Sequence, residues 1–141
     1  MTIDERAPLA GAPLRDSAAV GLGELIESTE ALRRQLDAHE AVCRSVLSDV
    51  QSRQPIGCVL SAARADNWRA TVTDAIKGFE TTRHHVRLVL VAMSLDDGMS
   101  IAEVARSWGV SRQLASRWVQ EAAPLRQAPD PLGTDPDLVP H

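Results

Sequence analysis

The stretch SIAEVARSWGVSRQLASRWV, residues 100–119, carries the signals that decide the fold. Ser100 followed three residues later by Glu103 forms a capping box, in which the serine caps the helix start and the glutamate reaches back. A short helix over 101–107 then puts Val104, Ala105 and Trp108 on its inner side. Gly109 comes next, because a tight turn calls for a left-handed backbone that glycine adopts without steric penalty. Val110 is apolar and plugs the gap beneath that turn. Ser111 caps another helix over 112–122, whose inner side is Leu114, Ala115, Trp118 and Val119. Two helices crossing steeply through a short turn need a small residue where they touch, and Ala105 supplies it.

Immediately upstream, residues 83–95 are amphipathic through Val86, Val89, Leu90 and Met93 and stop at Asp96-Asp97-Gly98. Residues 83–122 therefore read as three helices, with Trp108 and Trp118 covering a small core. The string over 101–119 resembles the helix-turn-helix of bacterial DNA-binding proteins. The form is the three-helix, homeodomain-like one shared by recombinase C-terminal domains, region 4 of sigma factors and many small repressors. Ala105, Gly109 and Val110 fall at that family's alanine, glycine and hydrophobic positions, and Ser111-Arg112 and Arg117-Trp118 match the ends of its recognition helix. Ala115 departs from the usual valine or isoleucine, and Leu114 occupies a site that is often an exposed threonine. Either the helix rotates to bury Leu114, or Leu114 meets a thymine methyl or a protein.

The resemblance implies that helix 112–122 enters the major groove led by its N-terminal residues. Arg112, Gln113, Ser116 and Arg117 then become readers of bases and phosphates; arginine reaches guanine O6 and N7, and glutamine adenine N6 and N7, in a bidentate way. Ser111 and the amides behind it suit a phosphate at the helix N-terminus. Arg83, Arg87 and Arg106 are expected on the DNA backbone, where contacts position without specifying sequence.

Farther out, Leu22, Leu25, Thr29, Leu32, Leu36, His39, Cys43, Val46 and Val50 follow 3-4-3-4 spacing through four heptads. Such a seam suits supercoiled helices, and it predicts a helix over 22–53, roughly 48 Å long. Leu22, Leu25, Leu32, Leu36, His39, Cys43, Val46 and Val50 are the expected dimer seam; one leg of an intramolecular hairpin is the alternative. Pro55 and Gly57 end the run. Trp68, Val72, Ala75, Ile76 and Phe79 recur at helical spacing in a segment that packs on its neighbours and runs on toward Val86. The fold expected is all-α: a long N-terminal coiled-coil-like helix plus a C-terminal trihelical helix-turn-helix domain. Residues 1–20, with Pro8, Gly11 and Pro13, read as a flexible arm and 21–82 as a helical dimerisation region. Residues 83–123 form the DNA-binding domain, and 124–141, rich in proline and aspartate, a disordered tail.

Composition narrows the function. The chain has 141 residues, 44% of them hydrophobic, no tyrosine, and a net charge of −4. Alanine, arginine and leucine favour helix, and no apolar run approaches the roughly 20 residues of a membrane span. Six arginines against four acids give residues 83–126 a charge of +2, while the flanks are acidic. This asymmetry suits a local binding module rather than bulk attraction to nucleic acid. Two cysteines are too few for a disulfide scaffold. His39 and Cys43 share a helix face, but packing explains both better than zinc. No catalytic motif is present. The sequence thus predicts a cytoplasmic, nucleoid-associated, homodimeric reader of double-stranded DNA without cofactor or metal, acting as a transcriptional regulator rather than an enzyme. The alternative is a module whose N-terminal helix docks on RNA polymerase or on a phage or plasmid partition component, with the helix-turn-helix auxiliary.

Overall fold

The computed structural model describes residues 12–126. These residues form five helices: α1 (Ala12–Gln51), α2 (Ile56–Ala62), α3 (Ala65–Asp96), α4 (Ile101–Trp108) and α5 (Arg112–Arg126). An all-α chain with a long N-terminal helix and a C-terminal helix-turn-helix is therefore what the sequence builds. The chain divides into two compact units. Among the described residues one joins 12–20 with 85–126; the other spans Gly21–His84.

In the first unit, Leu14, Val91, Ala92, Val104, Ala105, Ala115, Trp118 and Ala122 make one buried cluster. Leu14 and Ala18 belong to a stretch expected to be a flexible arm. That expectation is corrected from Ala12 onward, where the backbone is helical. Pro13 is tolerated because it sits in the first turn, where its missing amide would have had no helical partner. Leu14 and Ala18, one turn apart, then bury 92% and 95% of their surface. Arg15 adds an ion pair to Asp97 at 3.4 Å. Residues 1–11 lie outside the described residues.

The boundary expected at 82/83 lies beside the division between the two units at His84/His85, which falls inside the unbroken helix α3; Gly78 in that helix is exposed with open space around its Cα. At the other end, α5 passes through Pro124 to Arg126 rather than stopping at 123. A proline costs one backbone hydrogen bond there, and Arg126 Nε bonds Asp96 Oδ1 at 2.8 Å across the unit. The expected tail over 127–141 lies outside the described residues.

In the second unit α1 faces α3. Trp68 Nε1 donates to His39 Nδ1 at 2.7 Å, with ring centroids 5.4 Å apart. The half-buried positions of α1 are Leu25, Ser28, Thr29, Leu32, Gln35, His39, Val42, Val46 and Asp49. The inward stripe thus pairs Leu25, Leu32, His39 and Val46 with the residues three farther on. Leu22, Leu36, Cys43 and Val50, expected on the same seam, are exposed. The predicted register is displaced because a helix of the same chain, with its own 3.5-residue stripe (Trp68, Val72, Ala75, Phe79, Thr82), takes half the seam.

Candidate nucleic-acid interface

The interface is built on two backbone switches. Ser100 Oγ accepts from the Glu103 amide at 3.1 Å and starts α4. The Glu103 carboxylate turns back onto the Ser100 hydroxyl, which donates to Oε1 at 3.3 Å. At the far end of α4, Gly109 is left-handed at φ 65°, ψ 36°. Its N–H bonds the Arg106 carbonyl at 3.2 Å, and the Val110 N–H bonds the Ala105 carbonyl at 3.0 Å. This pair of bonds is a Schellman closure, with half-buried Val110 folded against the core. The same device ends α3, where Gly98 has φ 92° and the Met99 N–H bonds the Ser94 carbonyl at 3.0 Å.

Two residues later the chain re-enters helix. Ser111 Oγ accepts from the Leu114 amide at 3.1 Å, and the Ala115 amide bonds the Ser111 carbonyl. The Arg112 and Gln113 amides have no acceptor among the described residues, so two donors face outward at the positive end of the helix dipole. Ala115 is fully buried, Trp118 is 6% exposed, and Leu114 is half-buried against the same core. The helix is therefore rotated so that Leu114 faces inward, which settles that alternative.

This rotation turns Arg112, Gln113, Ser116 and Arg117 to the opposite side. Together with Ile101 and Gln120 they line one open depression. Arg112, Gln113 and Arg117 are exposed, as is Arg106 in the last turn of α4. None of Arg106, Arg112 or Arg117 has an ion-pair partner among the described residues, whereas Arg15, Arg83 and Arg126 are neutralised by Asp97, Glu80 and Asp96. The three guanidinium groups, one in the last turn of α4 and two in the first turns of α5, therefore carry uncompensated positive charge.

Two expected backbone contacts stand elsewhere. Arg83 belongs to the other unit and pairs with Glu80 at 2.7 Å. Arg87 is half-buried with its guanidinium 4.7 Å from the Trp118 ring centroid, a cation–π contact between α3 and α5. Trp108 meets Trp118 edge-to-face at 5.7 Å and, at 38% exposed, does not cover the core as expected. Gln120 and Ile101 were not anticipated in the site. Gln120 was legible, lying one turn beyond Ser116 on the same face.

Fold and site together define a helix-turn-helix DNA-binding domain. Residues 83–138 match a family model described as a transposase helix-turn-helix. No curated protein and no solved structure matches the chain. The family match overturns two expectations. The chain was expected to have no enzymatic role and to regulate transcription; the matched family is one of transposases, which are enzymes. Among the described residues no helix is long and apolar enough to cross a membrane.

Proposed function

We propose that this chain supplies the DNA-recognition function of a transposase, selecting the duplex sequence on which transposition acts. The observation that carries this reading is the single open face shared by Arg112, Gln113, Ser116 and Arg117 at the start of α5, on a domain that matches a transposase family. Arg112 and Gln113 read base edges in the major groove, and the outward amides of α5 hold a phosphate. Arg117 and Arg106 contact the backbone on either side. The working species is a homodimer joined through α1, so that two copies of α5 meet two half-sites about one or more DNA turns apart, roughly 34 Å per turn.

Selection from random duplex DNA at a stated salt concentration, followed by mobility shift of the recovered sequence, tests the reading. Replacing Arg112 or Gln113 with alanine is expected to cost about 1–3 kcal/mol of binding and to relax preference at one position each. Binding-site profiles identical to wild type for both variants would refute the assignment of α5 as the reading helix.

A further inference from the structure

The second unit leaves an apolar face on α1 that none of the other described residues covers. Leu22, Ile26, Leu36, Leu47 and Val50 are between 41% and 60% exposed, and exposed Cys43 lies on the same line. These residues sit about 100° round the helix from the stripe that faces α3. Thr29 completes the line, and its hydroxyl is satisfied by the Leu25 carbonyl at 2.7 Å, so it enters an apolar seam without losing a hydrogen bond. The same unit has little interior of its own. Val59 is its one hydrophobic side chain below 9% exposure among the described residues.

The face is nearly symmetric about Leu36. Leu22 and Val50 lie fourteen residues to either side, Thr29 and Cys43 seven, and Ile26 and Leu47 ten and eleven. The charges are only approximately complementary under the same reversal: Arg33 lies three residues before Leu36 and Glu40 four after it, Glu30 six before and Arg44 eight after, and within one helix Glu40 already pairs with Arg44. We infer that a second copy of this chain docks on this face antiparallel, with the twofold axis at Leu36. This deepens the self-association proposed above by fixing its face and direction. In that arrangement apolar meets apolar along about 42 Å of helix, and Arg33 of each copy meets Glu40 of the other. A parallel, in-register pair would instead set Arg33 against Arg33 and Glu40 against Glu40, a like-charge penalty repeated along the seam.

Cysteine cross-linking of the full-length chain separates the directions. Antiparallel docking places Leu36 opposite Leu36, while each Cys43 faces Thr29 and lies roughly 21 Å along the axis from the other Cys43. A L36C chain carrying C43S and C58S is expected to form a covalent dimer with a short bismaleimide, and a C58S chain retaining Cys43 is expected to stay monomeric on the gel. Cross-linking through Cys43 as fast as through L36C, or none through either, overturns the inference. Leu36 is exposed, so the exchange leaves the fold intact, with helix content by circular dichroism as the control. Independently, R33E should raise the dimer dissociation constant in sedimentation equilibrium by about tenfold, and R33E/E40R should restore it. A double variant as weak as R33E overturns the direction. Neither assay contains DNA, so failure of the coil and failure of DNA recognition are read separately.

Discussion

Gly109 decides where α5 points. Its φ of 65° is a conformation that an L side chain adopts only with strain, although nothing lies within 4 Å of where a Cβ would stand. Strain, not crowding, is therefore the reason for glycine here. Gly109→Ala should destabilise the first unit by about 1–2 kcal/mol, measured by chemical denaturation. Sequence-specific DNA affinity should fall with it, because Arg112 and Gln113 hang on the same bend. These residues were legible because their rules are local. A serine three residues before a glutamate, a glycine after a short helix, and an alanine at a helix crossing each act within one or two turns. Leu114 was not resolved that way, since its direction depends on what Trp118 and Ala122 leave free.

At the level of the helices, two arginines hold positions where glycine would be easier. Arg53 and Arg64 have φ of 58° and 51°, and both close the helix before them, α1 and α2 respectively. The Gln54 N–H bonds the Asp49 carbonyl at 3.1 Å, so α1 ends on the same closure as α4, with arginine in the left-handed place. Arg53→Gly is expected to raise stability by about 0.5–1 kcal/mol, the relief of strain exceeding the added chain entropy; a thermal melt that does not rise would contradict this. The long helices were readable from periodicity, but the register of α1 was not. Two apolar stripes overlap on its sequence, and spacing alone merges Leu22, Leu36 and Val50 with Leu25, Leu32 and Val46. Only the presence of Trp68 opposite His39 separates the covered stripe from the open one.

For the whole molecule the net charge of −4 coexists with a DNA-binding face, because in the first unit Arg15 and Arg126 are paired with Asp97 and Asp96 while Arg106, Arg112 and Arg117 are left to act. Affinity should therefore depend only modestly on salt. Each of these arginines that meets a phosphate contributes about 0.9 to the slope of log K against log salt. Arg106→Ala should lower that slope by about one per bound copy while leaving the preferred sequence unchanged, a result that titrations at several salt concentrations would show. Function at this scale was the least legible part. The helix-turn-helix is shared by regulators, recombinases and transposases, and the residues that read DNA are of the same kind in all of them. The transposase reading proposed above rests on the family match over 83–138, and nothing in the spacing of 100–119 separates it from a repressor.

Arg15 and Asp97 are 82 positions apart along the polypeptide, and Leu14 shares an interior with Trp118 and Ala122. For a helical protein this is an unusually distant contact, and loop-closure entropy must be spent before it rewards folding. During synthesis the ribosome releases Leu14 and Ala18 long before their neighbours exist. The core beneath α5 is thus complete only once Leu14 and the residues from Val91 to Ala122 have all been made and have met.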